Sequence, residues 1–199
     1  MTRDEFLAQP AQRQTVAVAE SHCAALQASP EWKAIELPLQ LRHLMQSSAS
    51  PQRALRELGA LADAVGEAQK PYAVCKRGCD HCCHIAVTIS AAEAMLLAEA
   101  SGREMSVEPS RGSRAEETSR WRGVPCPFLV DHECSVYAAR PMACRLHANL
   151  GDNPDHCDTA VPPKLSLVCS LDLKLFWMVA ADRLGALPHA DIREFFPAT

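Results

Sequence analysis

Apolar residues recur at helical spacing through most of residues 1–70, and the pattern changes wherever a proline enters. Val16, Ala19, Cys23 and Leu26 follow one another along Gln12 to Ala28 at intervals that put them on one face, which predicts a helix with a buried stripe. Thr2 followed by Glu5 reads as a capping box at its approach. Pro30 and Pro38 interrupt, leaving a shorter helix around Leu39 to Met45. Ser50-Pro51 supplies an N-cap and a first-turn proline. Leu55, Leu58, Leu61, Ala62 and Val65 then form a second stripe running to about Gln69, where Pro71 stops the helix. That helix delivers the chain to Cys75.

Downstream the periods shorten. Ile85 to Ile89 reads as a strand, and Ser90 with Glu93 caps a helix over Ala91 to Ala100 that Gly102 closes. Residues 103–124 mix Arg and Glu with small residues and read as a solvated, partly helical connection. Cys126 to Tyr137 predicts two short extended pieces around Asp131-His132-Glu133. Arg140 precedes a proline and favours extended backbone, and Pro141 opens a helix carrying Cys144 and Arg145. Asn149 to Pro163 reads as a loop. From Leu165 to Leu175 the leucines alternate, which favours a strand. Leucine content and the run through Phe176 to Leu184 favour one long helix ended by Gly185, and the helix is the reading adopted. Glu194-Phe195-Phe196 predicts a short last helix pinned to the core. The expected fold is mainly α, a small helical domain around an irregular, hairpin-containing cysteine cluster. Its single domain, 1–199, divides into N-terminal helices (1–70), a cysteine-cluster core (71–160) and a C-terminal helical segment (161–199).

At 199 residues the chain is long enough for one domain with a real core. Aromatics make up only 5%, so that core must be built from Leu, Ala and Val. A net charge of -4 gives no reason to expect nucleic acid as a partner. The longest strongly apolar run, Leu175 to Ala181, falls far short of the roughly 20 residues needed to span a bilayer, so no membrane partner is expected. The first residues are polar and hold no signal-peptide core, which predicts a cytoplasmic protein with reduced thiols.

In such a setting the cysteines point to chemistry. Cys75-Lys-Arg-Gly-Cys79-Asp-His-Cys82-Cys83-His84 concentrates four thiols in a short stretch. Adjacent Cys82 and Cys83 pair only with strained geometry, which argues against a disulfide scaffold. Facing thiolates repel, and a soft cation among them removes that cost: zinc, or an iron–sulfur core. If the stretch is helical, Cys75, Cys79 and Cys82 share a face; Gly78 equally permits a loop turning into a helix. Cys126, Cys134, Cys144 and Cys157 bring the candidate ligands to eight, a number suited to two tetrahedral sites or to one cluster with spare thiols. Cys23 and Cys169 lie among apolar residues and read as core. Of the histidines, His81 and His84 are the best candidates for a role at the metal, while His132, His147 and His156 read as surface or outer residues. Arg140 and Arg145 either donate to sulfur or carboxylate, or serve helix start and surface pairing.

The order Cys75-x3-Cys79-x2-Cys82-Cys83, Cys126-Pro-Phe-Leu129, Cys134-Ser-Val-Tyr137, Arg140-Pro141 and Cys144-Arg145 resembles the YkgJ-type cysteine-cluster family over roughly residues 70–160. The resemblance implies a zinc- or iron-chelating domain. A similar cluster occurs in flagellin lysine methylases, thought to carry an iron–sulfur cluster, but no methyltransferase signature is visible here.

Three functions follow as expectations. The first is a metal-chelating module whose zinc or iron is largely structural. The second is an iron–sulfur protein in redox or protein-modification chemistry. The C-x3-C-x2-C spacing also occurs in radical enzymes using S-adenosylmethionine, but the chain after Cys75 is too short for their barrel. The third is a thiol redox sensor using Cys82 and Cys83 beside Lys76 and Arg77. No Ser/His/Asp order or phosphate loop stands out, so no reaction and no protein partner is assigned.

Overall fold

The proline-punctuated N-terminus folds as a string of capped helices in a computed structural model that describes residues 1–76, 78–106 and 114–197. Helix α1 (Arg3–Leu7) carries the Thr2/Glu5 capping box, and α2 (Pro10–Ala28) buries Ala19 and Leu26. Pro30 opens α3 (Pro30–Ile35) behind the N-cap Ser29, where a missing N–H costs nothing. Pro38 sits in the first turn of α4 (Leu37–Gln46), and Glu36, at φ 48°, turns the chain between the two. The prolines therefore start helices rather than merely interrupting one. Ser50 caps α5 (Pro51–Gln69), and a 3-10 turn at Lys70–Tyr72 absorbs Pro71.

Strand β1 (Thr88–Ser90) leads into α6 (Ala91–Ser101) through the Ser90/Glu93 capping box, and Gly102, at φ 68°, closes that helix. The expected 103–124 connection holds α7 (Arg114–Trp121); its residues 107–113 lie outside the described ones. β2 (Leu129–Val130) and β3 (Glu133–Cys134) form a hairpin in which Leu129 faces Cys134, with Asp131 and His132 left-handed at the turn. Pro141 is the N-cap of α8 (Met142–Leu146). After α9 (Lys174–Leu184), β4 (His189–Asp191) returns to pair antiparallel with β1, and Asp191 caps α10 (Ile192–Phe195). The fold is mainly α.

The helix expected from Leu165 begins only at Lys174. Residues 166–173 run without helix or strand, and their backbone groups are claimed elsewhere. Leu150 N–H donates to the Cys169 carbonyl at 2.7 Å, and Cys169 N–H donates to Asn149 Oδ1 at 3.2 Å. Those two bonds hold the segment extended against the 149–151 loop and override its leucine content.

Two apolar clusters make the interior. One packs Leu41 and Leu44 of α4, Leu55, Leu58 and Val65 of α5, Met142 and Leu146 of α8, and Phe176 and Val179 of α9. Leu58 is fully buried, which stabilises the fold by about 1.5–3 kcal/mol. Gly66 allows the tightest approach in this cluster: a Cβ there would lie 2.5 Å from the Arg145 carbonyl oxygen of α8. The other cluster joins Ile89, Leu97, Phe128, Val136, Ile192, Phe195 and Phe196, with Cys126, Cys134 and Cys144 packed against it. Among the described residues no helix is long and apolar enough to cross a membrane.

Candidate metal centre

Local hydrogen bonds shape the first cysteine run into a loop and a turn. Gly78 takes φ 80°, Cys79 N–H donates to Lys76 O at 3.0 Å, and Cys83 N–H donates to Asp80 O at 2.7 Å. A 3-10 turn covers His81–His84. The alternative with Cys75, Cys79 and Cys82 on one helical face is therefore not adopted; a left-handed glycine breaks it. Of the basic pair beside these thiols, Arg77 lies outside the described residues.

Backbone contacts then bring the distant cysteines in. Val74 N–H donates to Asn149 O at 3.0 Å, which sets the start of the first run beside the 149–157 loop. Cys126 N–H donates to Cys83 O at 2.7 Å, tying the first run to the second. Arg193, 5% exposed, clamps this junction from the C-terminal end. Its guanidinium donates to Cys83 O (3.1 Å), Val124 O (2.7 Å), Pro125 O (3.2 Å) and Ile85 O (3.2 Å), and pairs with buried Asp191 at 3.0 Å. Asp191 in turn accepts from Val87 N–H at 2.6 Å.

All ten cysteines are free. Seven sort by their electrostatic neighbours into two groups that meet at Cys82, to which Cys83 is hydrogen-bonded. Cys157 feels Cys75, Cys79 and Cys82. Cys144 feels Cys82, Cys126 and Cys134. Burial is the first cause pushing up the thiols of Cys75, Cys126, Cys134 and Cys144, and neighbouring thiolates push the same way. Backbone N–H groups of Asn149, Phe128 and Val136 oppose it at Cys75, Cys126 and Cys134 respectively. Burial also lifts Cys157 to about 11, against a hydrogen bond from Asn149. Cys82 is driven far up by its hydrogen bond with Cys83, then by burial. Every one of these shifts says that charge on sulfur is unwelcome without a cation.

A cavity of about 90 Å³ has Cys82, Cys157, His147, His156 and Arg122 in its wall. Burial lowers the His147 pKa, which keeps its imidazole neutral and its lone pair available. His156 is buried and meets the Phe6 ring edge-on at 6.1 Å. Sequence reading placed both histidines outside the site; the wall position follows from folding, although His147 stands three residues past Cys144. His84 Nδ1 lies 3.1 Å from Asp80 O, and His132 Nδ1 lies 2.8 Å from Asp80 Oδ2. Arg145 donates to Arg140 O (2.6 Å) and Ala138 O (3.0 Å) and pairs with Asp63 of α5, while Arg140 stacks on Tyr137 at 3.8 Å. Cys23 and Cys169 are half-buried, not core: they line one open groove beside α2.

The donor set fits a soft divalent metal by its chemistry: thiols gathered across four stretches, with neutral imidazole nearby. Among the described residues, no group of three or more His, Cys, Asp or Glu stands in a metal-holding arrangement in this structure. The thiols are neighbours in charge rather than closed on a common point.

Such a gathering of unpaired thiols defines a soft-metal chelating class. Residues 74–159 match the model of the CxxCxxCC family, described as a "Putative zinc- or iron-chelating domain". Neither the curated proteins nor the solved structures compared with the chain show a match.

Proposed function

We propose that the chain holds zinc or iron through Cys75, Cys79, Cys82, Cys83, Cys126, Cys134, Cys144 and Cys157, arranged as two adjoining thiolate sites that share the Cys82–Cys83 pair. The observation that carries this reading is the hydrogen bonding that draws the cysteine stretches together: Cys126 N–H donates to Cys83 O at 2.7 Å, and Asn149 donates to both Cys75 Sγ and Cys157 Sγ at 3.5 Å. A bound zinc would fix the loops, and an iron–sulfur core would add electron transfer. The chain's own part is to surrender the thiol protons and keep water from the sulfurs. Arg193 beside Cys126 and Arg140 beside Cys134 offset part of the resulting negative charge.

The same reading treats 1–199 as one domain working in a reducing compartment. In its support, Arg3 donates to Ser166 O at 2.6 Å, and Thr15 Oγ1 donates to Asp152 at 2.7 Å, across the proposed subdivisions. Element analysis of anaerobically purified protein tests the function. Stoichiometric zinc or iron is expected, lost in Cys82→Ser and kept in Cys23→Ser. Equal metal in both variants, or none in the wild type, would sink the proposal.

A further inference from the structure

Asn149 is fully buried and spends every polar atom it has. Its Oδ1 accepts from Gly151 N–H at 3.0 Å and from Cys169 N–H at 3.2 Å. Two backbone donors at one end fix the orientation of the amide, so the NH2 end must face the other way. There Nδ2 donates to Asn153 O at 3.1 Å and to Cys157 Sγ at 3.5 Å. The backbone N–H of the same residue donates to Cys75 Sγ at 3.5 Å. One side chain and its own peptide thus reach two thiols from opposite ends of the cysteine region.

We infer that Asn149 is a positioning residue for the metal centre, delivering one N–H to Cys75 and one to Cys157 and holding that pair as a single half-site. The inference rests on the proposed assignment of Cys75 and Cys157 as ligands. N–H donation stabilises anionic sulfur over the neutral thiol, so the half-site around Asn149 takes metal more tightly than bare loops would. The second group of thiols receives nothing from this residue.

Asn149→Asp is the informative substitution. It keeps an oxygen for Gly151 and Cys169 and replaces the Nδ2 donor that faces both Asn153 O and Cys157 Sγ. Anaerobic cobalt(II) titration of the full chain, read in the sulfur-to-cobalt absorption, should show one class of sites weakened by about 10–100-fold, the usual cost of an outer partner. The other class should be unchanged. Unchanged binding in Asn149→Asp, with cobalt still lost in Cys75→Ser and Cys157→Ser, would overturn the inference and leave the ligand assignment standing. Full cobalt uptake in those two serine variants would overturn both. A measurement on the wild type covers the case of a misfolded variant. In nitrogen-15-labelled protein, the backbone and side-chain N–H resonances of Asn149 should move on cadmium loading, and the side-chain shift should vanish in Cys157→Ser. Resonances that stay put on loading would refute the role.

Discussion

The two thiol groups that meet at Cys82 are held by different forces. Cys126, Cys134 and Cys144 lean on hydrocarbon: Phe128, stacked on Phe196 at 4.9 Å, and Val136 wall them in, and Arg193 staples the adjoining carbonyls. Cys75, Cys79 and Cys157 sit in a loop and 3-10 turns, with Cys75 exposed, and a single buried asparagine donates hydrogen bonds to the sulfurs of two of them. Packing presets one group. The other depends on a few polar bonds and, on the proposed reading, on the metal itself.

The largest effect should come from removing the staple. Arg193→Met leaves Asp191 buried without its partner and several carbonyls unserved, which should cost about 3–5 kcal/mol in urea unfolding. A cost near zero would mean that the second group does not need its clamp. Next, stripping the metal with a chelator should loosen the groups unequally. Hydrogen exchange should speed up through 75–84 and 149–158 and change less at 126–136, where hydrophobic packing remains. Equal acceleration in both would erase the contrast drawn here.

A smaller effect concerns pH. The Cys157 thiol holds its proton up to about 11 in the fold, above its ordinary 9.0, so the metal-free folded state binds more protons than the unfolded chain between those values. This contribution is complete below pH 9 and disappears as pH rises toward 11. Thermal melting of chelated protein should fall over that window, and Cys157→Ser should flatten the fall. Smallest of all, Cys23→Ser should shift stability by no more than about 0.5 kcal/mol, with metal content unchanged.

Local chemistry made the helices legible. Ser50-Pro51 and the Ser90/Glu93 box mark starts that the structure keeps, because caps act within one turn. The hairpin around Asp131 and the short terminal helix were also visible in the residues. Tertiary decisions were not. Nothing in His189-Ala-Asp191 signals a strand until β1 lies beside it. The leucines of 165–173 look helical in isolation, yet they are held extended by bonds to a loop roughly twenty residues back. Spacing picked out the thiols but not their neighbours in space, since Asn149 links Cys157 to Cys75, which is remote in sequence. Asn149 and Arg193 stayed hidden for a related reason: both are polar types that ordinarily face water, and only burial discloses their work.

Gly66 gives the leucine-packed helices a mechanical hold on the Cys144 sulfur. With no side chain between α5 and the Arg145 carbonyl, the short helix bearing Cys144 rides directly on another backbone, without a cushion of rotatable carbon. A single methyl at position 66 would act as a wedge, tilting that helix and swinging one sulfur without altering any thiol. The placement of the Cys144 sulfur is thus set by the width of a seam elsewhere in the molecule.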